Sequence, residues 1–103
     1  MLSEQTQSAL HQAQLRYRAQ LQERANDLEK LWQAAADGDE ESYTELLRHL
    51  HRLGGSAGMY GLETLGQSAK AAYKGCQLLA PGQRQQSPSM QQLLKMMRDM
   101  AAH

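Results

Sequence analysis

One histidine, His51, is followed closely by four glycines, and this combination is the part of the sequence best suited to chemistry. The glycines are Gly54, Gly55, Gly58 and Gly61. In a helix interior each glycine costs roughly 1 kcal/mol relative to alanine, so their presence indicates that something other than helix stability is gained. The residues three and four positions after a helical residue are its surface neighbours. Because Gly54 and Gly55 have no side chains, the pattern predicts an exposed imidazole that another protein can approach.

The residues around His51 favour phosphoryl chemistry. Arg48 and Arg52 lie within one helical turn of the histidine, and guanidinium groups bind phosphoryl oxygens well. An imidazole ring is largely uncharged near neutral pH and is a competent nitrogen nucleophile. Phosphoryl transfer depends mainly on positioning and charge stabilisation. A single exposed histidine can therefore accept a phosphoryl group if a partner supplies the metal ion and the rest of the site.

The same residues also allow a purely structural interpretation. Gly54 and Gly58 lie four positions apart, and missing side chains on one helix face allow two helices to pack closely. A metal site at the histidines is disfavoured. His49 and His51 are two residues apart, about 200° around a helix, whereas paired ligands lie three or four residues apart. We expect no metal ligands in this chain.

Composition limits the classes of protein that the chain can represent. Its 103 residues are enough for one domain over residues 1–103, with a modest core and no large cleft. Eleven basic and eleven acidic residues give no excess positive charge, which argues against a nucleic-acid or anionic-membrane binder. The single cysteine cannot form an internal disulfide, and no apolar run approaches the ~18 residues of a membrane span. Since the N-terminus also lacks an apolar signal-peptide stretch, we expect a cytoplasmic protein.

The composition and its periodicity predict an all-α fold. Valine, isoleucine and phenylalanine are absent, while alanine, leucine, glutamine and methionine are abundant. Apolar residues recur every three or four positions along four stretches of the chain. We therefore predict an up-down-up-down four-helix bundle with a possible extra short N-terminal helix. Residues 3–37 can form one long helix or two, and the sequence does not decide between these.

Several residues mark where the predicted helices begin and end. Gly38 should terminate the first helical region, and Asp39 should cap the second helix. Gly61 should terminate that helix. Residues 80–88, which contain both prolines, should form a loop, with Ser87 or Ser89 capping the last helix.

The segment after the histidine has a resemblance to a known family. The run from His51 to Gly58 reads His-Arg-Leu-Gly-Gly-Ser-Ala-Gly, and Gly61, Leu62 and Leu65 follow it. It resembles the signature of histidine phosphotransfer (HPt) domains of bacterial and plant phosphorelays. That signature runs His, any residue, Leu, Lys, Gly, Ser or Ala, Ala, with a glycine a few residues later. The match covers roughly residues 46–65.

The resemblance implies roles for particular residues and partners. It implies a four-helix bundle in which His51 is the phospho-accepting residue, Gly55 lets a receiver domain approach, and Leu47 contributes to the docking surface. It also implies that the partners are response-regulator receiver domains and a hybrid sensor histidine kinase. The chain would need no cofactor of its own, because the receiver supplies Mg²⁺. We expect a monomeric phosphocarrier in two-component signalling, with no ATP site and no enzyme activity of its own.

The sequence departs from the family pattern in its charges. The usual lysine three residues after the histidine is Gly54 here, so the charge that meets the phosphate must come from Arg48, Arg52 or Lys70. The acidic residue often found later in the third helix is also absent, and Lys70 lies near that point. An alternative function is therefore a pseudo-HPt adaptor that binds receiver domains without phosphotransfer. A third alternative is a helical dimerisation module.

Overall fold

The computed structural model describes residues 3–102, and these residues form helices joined by short connections. The elements are α1 (Glu4–Ala19), α2 (Leu21–Ala36), α3 (Glu40–Met59), α4 (Glu63–Leu78), a 3₁₀ helix (Pro81–Gln86) and α5 (Pro88–Ala101). Residues 3–102 contain no β-strand, so the all-α prediction is confirmed. None of the helices in this range combines the length and the apolar character needed to span a membrane.

Four of the helices form the predicted bundle. α2 packs against α3, α3 against α4, α4 against α5, and α5 against α2, so that the four helices close around one core. The core is made mostly of leucines, alanines and methionines, and Tyr17 is its buried aromatic residue. Its fully buried large residues include Leu21, Leu46, Leu50, Leu65, Met90, Leu93 and Met97. These residues belong to the apolar positions from which the bundle was predicted.

The N-terminal region contains two helices of equal length. α1 and α2 have 16 residues each and are separated only at Gln20, although no glycine or proline marks the break. The extra helix is therefore present, but it is not short. The molecule measures 51 Å along its longest axis, whereas the 20-residue helix α3 spans only about 30 Å. Residues 3–9 are all exposed, so the start of α1 projects beyond the bundle.

The second half of α1 is fastened to the C-terminal end of α3. Gln14 Nε2 donates a hydrogen bond of 2.6 Å to the carbonyl oxygen of Tyr60. Tyr17 shares a hydrogen bond of 2.8 Å with the hydroxyl of Ser56, and its ring lies 4.7 Å from that of Tyr60. Tyr17 is itself buried in the core. These contacts position α1 next to the glycine-rich half of α3.

The helix ends follow the local signals in the sequence. Gly38 and Gly61 adopt positive φ angles of 101° and 75° just after α2 and α3, which residues other than glycine rarely do. Asp39 caps α3 by accepting the backbone N–H groups of Glu41 and Ser42. Of the two candidate serines, Ser87 caps α5. The predicted boundaries are therefore confirmed.

The predicted loop before the last helix is wrong in part, because most of it forms the 3₁₀ helix with a buried arginine. Arg84 Nη1 donates to the carbonyl oxygen of Ala35 at 3.1 Å and to Glu40 Oε1 at 2.9 Å. The indole nitrogen of Trp32 donates to the carbonyl oxygen of Arg84 at 2.7 Å. The segment is ordered by these partners, which are distant in the sequence. The prolines, glycine and glutamines of the segment alone therefore do not predict its structure.

Candidate functional site

His51 lies near the middle of α3 and is exposed to solvent. Its neighbours Leu50 and Leu53 are buried in the core, and a rotation of about 100° per residue directs His51 away from them. Gly55, one turn further along α3, is also exposed, and a Cβ atom built on it would meet no atom within 4 Å. The space on this side of the imidazole is therefore open, as the sequence predicted.

Gly54 differs from Gly55 because a neighbouring helix covers it. Gly54 is buried, and a Cβ atom built there would lie 3.1 Å from Cγ and 3.6 Å from Cε of Lys70. The Lys70 side chain thus reaches across from α4 and lies against the backbone of Gly54. The prediction that both glycine positions are uncrowded is therefore wrong for Gly54. It failed because it considered only the side chains of α3.

A second glycine explains how closely α3 and α4 approach. Gly66 of α4 is buried, and a Cβ atom on it would lie 3.0 Å from the carbonyl oxygen of Gly54. At Gly58, by contrast, an added Cβ would meet nothing within 4 Å. The close helix contact expected from glycine spacing is present: Gly66 packs against the backbone of both Gly54 and Gly58, although Gly58 itself has room for a Cβ atom. In the sequence, this contact was indicated only by Gly66 itself, an isolated glycine inside the apolar pattern of α4.

Tyr73 is a neighbour of His51 that the sequence analysis did not identify. The centroids of the two rings are 6.1 Å apart, and the rings are tilted by 52°. Tyr73 is half-buried and packs against the core, so its ring forms a fixed wall beside the exposed imidazole. Its only sequence signal was its position three residues after Lys70, which places both side chains on one face of α4.

The three cations predicted to meet a phosphate lie in different surroundings. Arg48 forms an ion pair with Glu45 on the same helix, and both side chains are about half exposed. Arg52 lines a surface cavity of about 320 Å³ between α2 and α3, together with Arg24. Lys70 lies over Gly54 on the α4 side. The structure therefore does not bring the three together around His51.

The predicted apolar docking surface is less exposed than expected. Leu47 is half-buried and packs against the core. The most exposed large apolar side chains are Met59 and Leu78, at 84% and 86%. Within residues 3–102, no group of three or more His, Cys, Asp or Glu side chains is arranged to hold a metal ion. His49 instead lies 3.8 Å from a carboxylate oxygen of Glu45.

Comparison with known proteins gives one match. The family model described as the Hpt domain matches residues 4–103. No curated protein and no solved structure gives a significant match. The matched range covers all the helices described above, whereas the resemblance seen in the sequence alone was confined to the centre of the chain.

Proposed function

This chain belongs to the Hpt domain family, and from that membership we propose that it relays a phosphoryl group between receiver-domain aspartates through His51. The family consists of phosphocarrier modules in two-component signalling. The observation that supports His51 as the acceptor is its geometry. It is exposed at the middle of α3, and the neighbouring Gly55 leaves open space beside it. We further propose that residues 1–103 act as one domain in the cytoplasm.

The proposed transfer is a single displacement at phosphorus. The lone pair of a His51 nitrogen, which we assign to Nε2 as the family resemblance implies, attacks the phosphorus of a receiver's aspartyl phosphate. An N–P bond forms while the P–O bond to the aspartate breaks, and the carboxylate leaves with the bonding electrons. The ring keeps the proton on its other nitrogen or releases it to water. The reverse step delivers the phosphoryl group to a second receiver.

In this proposal the partner supplies what the chain lacks. The receiver contributes the aspartate and Mg²⁺, and a hybrid sensor histidine kinase provides the phosphoryl group upstream. The chain contributes an accessible nucleophile on a rigid helix, held beside Tyr73. A receiver would approach over Gly55, where no side chain intervenes. Leu47 would add the apolar surface that its half-buried side chain still exposes.

Transfer from a labelled receiver tests the proposal. The protein is incubated with receiver domains carrying ³²P-labelled aspartate, and label on this chain is tested for stability in alkali and lability in acid. Label is expected on the unchanged protein and on His49→Gln, a matched control two residues away on the same helix. No label is expected on His51→Gln. Equal labelling of His51→Gln would overturn the assignment of His51.

One observation favours a second candidate, the pseudo-HPt adaptor. Gly54 contributes no charge where the family usually has a lysine, and it is buried against α4. The adaptor would bind phosphorylated receivers tightly, and the labelling assay would find no phosphohistidine on the unchanged protein. Measuring receiver affinity alongside label therefore separates the two candidates.

A further inference from the structure

We propose that Lys70 of α4 supplies the positive charge that meets the phosphoryl group on His51, taking the part of a lysine that α3 lacks at position 54. This inference rests on the proposed function. It goes further by choosing one cation among three candidates. It also explains why α3 has a glycine at position 54.

Because α3 and α4 run antiparallel, Lys70 lies opposite the residue that is one turn after His51 on α3. His51 faces Tyr73, and Gly54 faces Lys70. Along α3, Gly54 lies one turn after His51, and along α4, Lys70 lies one turn before Tyr73. Residues one turn apart on a helix have Cβ positions about 5–6 Å apart. The Lys70 stem therefore lies over Gly54, one turn along α3 from the imidazole, while the open position at Gly55 lies about 100° further around the helix.

The Lys70 side chain lies flat over Gly54 and ends at the surface. The Lys70 Cγ and Cε atoms lie 3.1 and 3.6 Å from the point where a Cβ atom on Gly54 would be. The apolar stem of the lysine therefore covers the glycine. Lys70 is nevertheless exposed, because a lysine can cover apolar surface with its stem while its ammonium group remains in water. No carboxylate among residues 3–102 forms an ion pair with it.

The other two cations are less suited to this role. Arg48 is already paired with Glu45, whose negative charge would repel an incoming phosphoryl group. Arg52 lies about 100° around α3 from His51 and lines the cavity that faces α2. Lys70 is the one candidate with an unpaired charge on the Tyr73 side of the imidazole.

The same geometry predicts that the lysine can be moved from one helix to the other. A side chain at position 54 conflicts with Lys70, whose Cγ would lie 3.1 Å from the added Cβ. Without the Lys70 stem, the nearest remaining atom is the carbonyl oxygen of Gly66 at 3.6 Å, an ordinary contact. A side chain at position 54 therefore requires the Lys70 stem to move, and a short residue at position 70 removes that contact.

Phosphoramidate, a small phosphodonor that requires no protein partner, tests the role of Lys70. The rate of His51 phosphorylation is followed by ³¹P NMR in the full chain and in Lys70→Gln, with Lys95→Gln of α5 as the matched control. We expect Lys70→Gln to be slower by about threefold or more and Lys95→Gln to be unchanged. The difference should shrink at high salt, because exposed charges are screened. A packing role would not depend on salt.

Two further variants make the test decisive. Lys70→Ala should be slow, and the double variant Lys70→Ala with Gly54→Lys should recover at least half of the original rate. Thermal unfolding confirms that each variant is folded. Equal rates for Lys70→Gln and Lys95→Gln would overturn the proposal. That result would leave the receiver-dependent labelling of His51 intact, so the two proposals fail separately.

Discussion

Gly55 and Gly66 both lack a side chain, but only Gly66 lacks the space for one. An added Cβ at Gly55 meets no atom within 4 Å, whereas at Gly66 it would lie 3.0 Å from the backbone carbonyl oxygen of Gly54. The carbonyl belongs to a packed helix and cannot move as a flexible side chain can. The same substitution at these two positions should therefore have opposite effects.

Alanine substitution measures this difference directly. Gly55→Ala should raise the free energy of unfolding by about 0.5–1 kcal/mol, because alanine is the better helix former and nothing obstructs it. Gly66→Ala should lower the free energy of unfolding by about 1–3 kcal/mol, because α3 and α4 must separate slightly. Urea unfolding followed by circular dichroism gives both values. Changes of the same sign would contradict the assigned roles.

A larger residue at position 55 should separate stability from function. Gly55→Leu should fold at least as stably as the unchanged protein, since the position is open. It should slow phosphotransfer from a receiver by about tenfold or more, because the leucine occupies the surface over which the receiver approaches. Phosphorylation by phosphoramidate should change little, since that donor is small. Equal slowing with both donors would show that the leucine blocks the imidazole itself and not docking.

At the scale of elements, the 3₁₀ helix depends on one arginine. Arg84 is buried, contacts the end of α2 and the start of α3, and lies 3.8 Å from the ring of Tyr43. Its partner Glu40 is largely exposed, so the main loss on truncation is the buried hydrogen bonding and the packing of the guanidinium group. Removing Arg84 should therefore loosen the connection between α2, α3 and the 3₁₀ helix.

Replacement of Arg84 tests this dependence. Arg84→Met should lower the free energy of unfolding by about 1–3 kcal/mol, because it leaves the carbonyl of Ala35 without its side-chain partner. Arg98→Met is the comparison variant. Arg98 pairs with Glu29 at 2.7 Å near the surface, and such pairs contribute about 1 kcal/mol or less. Similar losses for the two variants would show that Arg84 acts as an ordinary surface arginine.

The cap of α3 should make stability sensitive to acid. The hydroxyl of Ser42 donates to Asp39, and the backbone N–H groups of Ser42 and Glu41 donate as well. Together these hydrogen bonds lower the pKa of Asp39. A carboxylate with a lowered pKa stabilises the fold above its ordinary value of about 3.9, and this contribution is lost as pH falls through the lower folded value.

Asparagine at position 39 isolates the contribution of that titration. Asp39→Asn keeps a capping side chain but cannot titrate. Below about pH 4 its melting temperature should fall less steeply than that of the unchanged protein. The comparison is a series of thermal melts between pH 2 and pH 7. Parallel curves for the two proteins would show that the Asp39 carboxylate does not contribute to acid sensitivity.

At the scale of the whole molecule, the two most exposed large apolar side chains are separated. Met59 lies at the C-terminal end of α3 and Leu78 at the C-terminal end of α4. Since α3 and α4 run antiparallel, these two residues are at opposite ends of the bundle. Met59 and Leu78 therefore do not form one large apolar patch. Such a patch is the usual basis of a stable homodimer.

We therefore predict a monomer in solution. Sedimentation velocity should give one species of the mass of a single chain at micromolar concentrations, with no change on dilution. Met59→Gln and Leu78→Gln should sediment identically to the unchanged protein. A dimer that dissociates in either variant would instead support the dimerisation module considered from the sequence.

The parts of the molecule that were predictable from sequence are those specified by neighbours in the chain. Asp39 and Gly61 act through residues within one turn, and the apolar stripes repeat at the helical period. The break at Gln20, the burial of Arg84 and the contact of Lys70 with Gly54 were not predictable in this way. The last two depend on contacts with other helices, whose positions follow only once the bundle has assembled, and the break at Gln20 has no glycine or proline to mark it.

The attachment of α1 to α3 has a consequence for the order in which backbone amides become accessible to solvent. The hydrogen bonds to Ser56 and Tyr60 connect α1 to the last turn of α3. Glycine-rich helix ends normally fray, so their amide protons exchange early with deuterium. Here such opening first requires α1 to detach. The amides of residues 57–60 should therefore exchange more slowly than those of the projecting residues 4–9, and the exchange of residues 57–60 reports on the docking of the N-terminal helix.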